Sequence, residues 1–177
     1  GQNFSRQLST LKKWGIPVYQ TDPSHLEDVM DIMKKLGCLL GREKEALKAA
    51  KIYAAKLQAV GARNQKTVRV FYQLGGGSLM TINRHSWIND AIELCGGRNV
   101  FADMKATASE VDLEAVIASD PEVIVAADTS DAWRERWLPY KEISAVKYHR
   151  FVTLNPDLID RAGPRLADGV RQLCAAI

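Results

Sequence analysis

The chain has 177 residues, 46% of them hydrophobic and 25% charged, so it can bury one sizeable core and is not composed like a disordered segment. Twenty-four basic and 21 acidic side chains leave a formal charge of only +3. They are interleaved, as in Arg42-Glu43-Lys44-Glu45, which reads as a solvated helical face and argues against a nucleic-acid surface. There is no apolar run of about 18 residues to span a membrane, and the opening Gly1-Gln2-Asn3-Phe4-Ser5-Arg6 is no signal peptide, although a mature chain would lack one as well.

In chain order, Leu8, Leu11 and Trp14 recur at helical spacing and predict the end of a helix over 5–14, stopped by Gly15. Ile16-Pro17-Val18-Tyr19 then reads as a short β-type run. A chain that opens on a helix end and one strand begins inside an α/β unit, so further sequence is expected upstream. Asp22-Pro23-Ser24 signals a helix start, and Leu26, Val29, Met30, Met33 and Leu36 continue it to a stop at Gly37. From Arg42 to Val60 an Ala-rich stripe (Ala46, Ala49, Ala50, Tyr53, Ala54, Leu57) predicts one long stiff helix. It spans roughly 28 Å at 1.5 Å per residue, with Gly61 as its C-cap.

Beyond Asn64 strands and helices alternate. Val68 to Tyr72 is a strand leading into Gly75-Gly76-Gly77. Ser86 to Cys95 is a helix capped by Gly96-Gly97. Asp112 to Ala118 is a short helix with Asp112 as N-cap. Glu122 to Ala127 is a buried strand, Asp131 to Leu138 is helical, and Phe151 to Leu154 is a third strand. Gly163 to Ala176 closes the chain, with Pro164 in its first turn. Such alternation implies a mostly parallel sheet covered on both faces. The expected fold is therefore α/β: a Rossmann-like lobe joined by a long helix to the remnant of a second α/β lobe. The boundaries fall at 1–22 for the end of an N-terminal lobe, 23–64 for the linker and 65–177 for the C-terminal lobe.

Few residues suggest catalysis. His25, His85 and His149 belong to no GxSxG, HExxH or HxE pattern and read as structural. The loop Gln73-Leu74-Gly75-Gly76-Gly77-Ser78 follows a strand but lacks both GxGxxG and the Lys-Ser/Thr of a P-loop. Its glycines instead permit close approach of a ligand at a strand's carboxyl end. After the third strand, Asp157 or Asp160 could cap the last helix, while Arg161 could present its five-donor fork to a cleft. Trp14, Trp87, Trp133, Trp137, Tyr140 and Tyr148 read as packing residues before binding residues. Cys38, Cys95 and Cys174 show no zinc spacing; their odd number allows one disulfide and one free thiol.

Several stretches together resemble one family. Leu79-Met80-Thr81-Ile82-Asn83, and Ile92 to Asp103 through Cys95-Gly96-Gly97-Arg98-Asn99-Val100-Phe101, are similar to the C-lobe of periplasmic cobalamin- and iron-siderophore-binding proteins. Val111 to Val116 with Asp120 to Val125, and Arg161 to Arg165 with Gln172-Leu173-Cys174, extend the likeness. Gln7 to Val18 matches the end of the family's N-lobe. The resemblance implies two α/β lobes joined by a rigid helix, the N-lobe mostly preceding Gly1. It implies a non-enzymatic, monomeric receptor of an ABC importer in the periplasm, without a cofactor, whose partners are a small metal chelate and the membrane permease–ATPase complex. It places ligand contacts at Leu74, Gly75, Gly76, Ala108, Asp157, Leu158 and Arg161, transporter docking at Glu114, and a disulfide at Cys95–Cys174 closing a loop of about 79 residues. Glu114 also suits the helix dipole as a first-turn acid. Leu74, the triple glycine, Ala108 and Leu158 stand where cobalamin binders tend to carry aromatics, which leaves less stacking surface for a corrin. Cobalamin is the first expectation, an iron-siderophore the second and haem the third, because Tyr72 sits within a strand. An α/β enzyme of nitrogenase-like or dehydrogenase type, or a stand-alone interaction module, are the other classes weighed; an enzyme would need a cofactor fingerprint or a converging acid/base pair.

Overall fold

The computed structural model describes residues 5–60, 67–75 and 79–177. Its core is a four-stranded parallel sheet in the order β3-β1-β5-β6. The strands are β1 (Val68–Gln73), β3 (Gly97–Asn99), β5 (Val123–Ala127) and β6 (Phe151–Leu154). The expected α/β class and parallel sheet are thus present. The strands read as continuous apolar runs because both faces are covered. Val70, Tyr72, Val123 and Val125 point to one face with Ile92, Leu166 and Val170. Phe71, Ile124 and Ala126 point to the other with Val116, Trp133, Trp137 and Ile143. Edge-on ring contacts of Phe71 with Phe101 and Trp137 fill the second face.

Helix α1 covers Ser5–Lys13, and Gly15 follows it at φ +69, the left-handed geometry that a helix stop requires. The run Ile16–Tyr19 is extended but forms no strand among the described residues, contrary to expectation. Ile16, Val18 and Tyr19 are exposed and pair with no neighbour in a sheet. Helix α2 begins at Asp28, not at Ser24. The backbone N–H groups of Ser24 and His25 donate to the Asp28 carboxylate, each at 2.8 Å, so Asp28 nucleates the start from inside. These N–H donors hold the Asp28 carboxyl below its ordinary range.

Helix α2 also runs through Gly37 to Leu39. The expected stop at Gly37 is overturned by close packing: a Cβ there would lie 2.2 Å from the Ala46 Cβ and 3.2 Å from the Arg42 carbonyl oxygen. The turn is made at Gly41 instead, at φ +62. Helix α3 spans Glu43–Gln58, inside the expected 42–60; the expected cap Gly61 lies outside the described residues. Leu26, Val29 and Met33 near and on α2, and Ala50 and Tyr53 on α3, join the same hydrophobic cluster as the sheet. The Tyr53 hydroxyl donates to the Leu26 carbonyl at 3.1 Å, and Lys56 pairs with Asp168 of the last helix at 2.9 Å.

Helix α4 (Trp87–Leu94) lies within the expected 86–95, and the Ser86 hydroxyl caps it by accepting from Ile88 N. Gly97 is not part of the following cap, because it opens β3, where an added Cβ would strike Ile92 and Val70. A small two-stranded antiparallel sheet, β2 (Met80–Ile82) with β4 (Ala108–Glu110), joins strands separated in the chain by α4 and β3, and no local pattern predicts it. Asp112 sits at the N-cap position of α5 (Leu113–Ser119), but its side chain makes no capping bond. The stretch 131–138 is a short 3-10 helix at Ala132–Trp137, followed by α6 (Ser144–Lys147), which no sequence signal announced. After β6, neither Asp157 nor Asp160 caps the last helix. Asn155 caps α7 (Pro156–Ile159) by accepting from Asp157 N, and α8 runs Leu166–Ala176. Cys95 and Cys174 form a disulfide that clips α4 to α8, and Cys38 is free and exposed. Among the described residues no helix is long and apolar enough to cross a membrane.

Candidate functional site

Parallel strands put their carboxyl ends on one edge, where the loops of open α/β sheets gather their ligands. Here the edge is built by Leu74–Gly75 after β1, Asp128–Thr129 after β5 and Asn155–Asp157 after β6. The register Ala126↔Thr153 and Ala127↔Leu154 brings the last two together. Between them lies a groove of about 430 Å³ lined by Asp128, Thr129, Thr153, Asn155 and Asp157, with Leu154 and Pro156 as its apolar part. One Asp128 oxygen accepts from the N–H groups of Thr129 (2.6 Å) and Ser130 (3.1 Å), which fixes the turn. The Thr153 hydroxyl accepts from Trp133 Nε1 and Arg134 Nη2, both at 3.0 Å, and donates to Asp131 at 2.5 Å. The wall is therefore rich in fixed acceptors and poor in aromatic faces.

Gln73, fully buried at the end of β1, organises the first loop. Its Oε1 accepts from Trp137 Nε1 at 2.9 Å and its Nε2 donates to the Gly75 carbonyl at 2.8 Å. Leu74 bridges to Met80 and so ties the loop to the β2–β4 sheet. Gly75 sits at φ +66, a geometry most side chains avoid, and Gly76 lies outside the described residues. Ala108 is exposed on β4 and does not line the 153–157 groove. Arg161 and Asp157 form an exposed i,i+4 pair at 3.4 Å just beyond the groove, with Leu158 between them. Of the expected contacts among the described residues, only Asp157 lines the groove itself.

Asp128, Thr129 and Thr153 were missed. The signal for them was the same strand-end rule that pointed to Leu74, applied to the Asp128-Thr129-Ser130 turn. Beneath the rim, the Tyr72 hydroxyl donates to Asp160 at 3.2 Å. Burial pushes the Tyr72 phenol well above its usual range, with the Asp160 charge adding to the effect. Burial likewise raises the Asp160 carboxyl, against the opposing pull of the Tyr72 hydroxyl and Arg161. Glu114 is exposed in the first turn of α5. No cluster of three or more His, Cys, Asp or Glu side chains suited to a metal occurs among the described residues.

The structure is a parallel α/β lobe with a groove at its strand ends, packed against helices α2 and α3. The periplasmic binding protein family matches residues 2–158, and the chain belongs to that family. It is 30% identical over 175 residues to a vitamin B12-binding protein of Vibrio parahaemolyticus serotype O3:K6, covering 97% of this chain and 64% of that one. The chain thus spans somewhat under two-thirds of that relative's length. The crystal structure of the periplasmic vitamin B12 binding protein of Vibrio cholerae superposes with a TM-score of 0.83 at 28% identity, over 97% of this chain and 68% of that one. A periplasmic haem-binding protein of Roseiflexus sp. RS-1 shares the fold with a TM-score of 0.85 at 22% identity, over 97% of this chain and 70% of that one.

Proposed function

We propose that the chain supplies a ligand-capturing wall of a periplasmic receptor for an ABC importer, and that its ligand is cobalamin. In this reading residues 65–177 form the C-terminal lobe, 23–64 the linker and 1–22 the end of an N-terminal lobe. Function is capture and delivery, with no chemical step. The observation that carries the ligand choice is the acceptor-rich rim. The carboxylates of Asp128 and Asp157 suit a ligand that offers N–H donors, such as the amide arms of a corrin, and repel the carboxylates of haem or of a carboxylate-type siderophore. The relatives named as vitamin B12-binding proteins support the same choice.

Tyr72 is fully buried and its hydroxyl is committed to Asp160, so it is poorly placed to serve as an axial haem ligand. Leu74, Gly75, Gly76, Ala108 and Leu158 would give the ligand van der Waals surface. Arg161 would donate to a ligand carbonyl once it turns from Asp157. Glu114 would dock onto a cationic pocket of the transporter.

Calorimetric titration with cyanocobalamin, haemin and a ferric hydroxamate tests the ligand. The expected order is cobalamin first, with Arg161→Ala weakening it by about tenfold, the worth of one hydrogen bond to a charged group. Tight binding of haemin or the ferric hydroxamate without cobalamin binding would refute it. Glu114→Lys should leave cobalamin affinity intact and abolish delivery to transporter-containing vesicles.

A further inference from the structure

A second groove lies away from the strand-end rim, where the start of the linker meets α4. It has two adjoining parts. The first holds about 550 Å³ and is walled by Leu26, Glu27, Leu57, Gln58 and Leu94. The second holds about 480 Å³ and is walled by Arg84, His85, Asn89 and Ala102. His25, Asp90 and Glu93 line both.

Three carboxylates (Glu27, Asp90, Glu93) face one guanidinium, and that guanidinium, Arg84, is turned to Asp103 and the Ala102 carbonyl. Asp90 accepts from His25 Nδ1 and from Leu26 N, both at 3.0 Å, which fixes its position. Asn89 is the telling residue. It lines the second part although it is only 2% exposed, and its Nδ2 donates to Glu93 Oε1 at 3.0 Å. Its Oδ1 is buried and has no partner. Rotating the amide would only bring that oxygen against the Glu93 carboxylate, so the vacancy is for a donor. A buried acceptor is normally paired, and leaving one open is costly unless a ligand or water completes it.

We propose that this groove binds a small primary alkylammonium ion, its N–H groups shared between Asn89 Oδ1 and the Glu93 and Asp90 carboxylates and its chain lying along Leu57 and Leu94. The site is separate from the strand-end groove, and the proposal stands whether or not the chain binds cobalamin.

Titration of the ¹⁵N-labelled chain with n-pentylammonium chloride tests it. Saturable amide shifts are expected at residues 25–27, 57–58, 84–85 and 89–94. Asn89→Leu keeps the volume and removes the acceptor; it should weaken binding by about tenfold, the worth of a hydrogen bond to a charged group. Its melting temperature should hold or rise, since an unpaired buried acceptor is gone, which separates loss of the site from loss of the fold. Glu93→Gln should weaken binding in the same direction. Pentyltrimethylammonium carries the same charge without an N–H and should bind about tenfold more weakly. Absence of saturable shifts would mean that Asn89 is completed by water only and would overturn the proposal. So would equal binding of the quaternary ion, unchanged binding by Asn89→Leu, or binding of a lysine-bearing peptide but not of the free amine.

Discussion

Gly37 offers a sharp test of how closely helices α2 and α3 are packed. In Gly37→Ala the new Cβ would sit 2.2 Å from the Ala46 Cβ and 3.2 Å from the Arg42 carbonyl, and neither belongs to a flexible side chain that could swing away. Overpacking of this kind costs about 1–3 kcal/mol. Alanine in a helix interior returns roughly 1 kcal/mol of the helix-propensity deficit of glycine. The balance is a net loss of up to about 2 kcal/mol, or a melting temperature lower by up to about 8 °C at 2–4 °C per kcal/mol. Ala46→Gly alone should cost about 1 kcal/mol through propensity. The double variant Gly37→Ala/Ala46→Gly moves the methyl from one helix to the other and relieves the contact. It should therefore lie near the parent, with a coupling of about 2 kcal/mol in the cycle. Urea unfolding at 25 °C, followed by far-ultraviolet circular dichroism, measures all four proteins. Additive single effects, or a Gly37→Ala variant more stable than the parent, would refute the close α2–α3 approach.

Three further outcomes follow from the geometry. Replacing both Cys95 and Cys174 by alanine, or adding reductant, should lower stability by up to about 4 kcal/mol through the freed loop, and non-reducing mass spectrometry should find Cys95 linked to Cys174 with Cys38 alkylated. Gln73→Met keeps the bulk but strands Trp137 Nε1 without its acceptor; a loss of about 1–3 kcal/mol is expected, with a change in tryptophan emission as the readout. Asp120 accepts from Ser144 N at 2.7 Å and pairs with Arg69 at 2.8 Å, and its folded pKa is lowered, first by the Ser144 N–H. Its contribution should be complete above the ordinary carboxyl value of 3.8 and fade as the pH falls through the lower folded value. Thermal melts of Asp120→Asn should therefore differ from the parent at neutral pH and converge with it in strong acid.

Much of the scaffold could be read from periodicity. The Ala stripe of α3 and the apolar runs of β1, β5 and β6 are local patterns, and each element appears within a few residues of its expectation. What failed was tertiary in origin. Gly37 reads as a stop in isolation and is a contact residue only because Ala46 lies against it. Strand β3 is Gly-Arg-Asn, with no β-type pattern of its own; it is a strand because β1 pairs with it, Val68↔Gly97 to Val70↔Asn99. Ile16–Tyr19 shows the reverse, a β-type run that the described residues leave unpaired.

The candidate site divides the same way. Leu74 and Gly75 are visible because a loop directly follows a strand. Thr153 joins Asp128 only across the β5–β6 register, between segments some 25 residues apart that no local pattern connects. Asn89 could not have been singled out from its place on α4; its open acceptor exists only once Glu93 has taken the amide's donor.

The shared cluster of Leu26, Val29, Met33, Ala50 and Tyr53 with the sheet bears on how α2 and α3 can move against it. Helices whose buried side chains belong to the core of a lobe cannot loosen without unravelling that core. Under native conditions the amide protons of α2 and α3 should therefore exchange with those of β1 and β5 as a single cooperative unit. Helices α2 and α3 thus behave as a rigid extension of the parallel sheet.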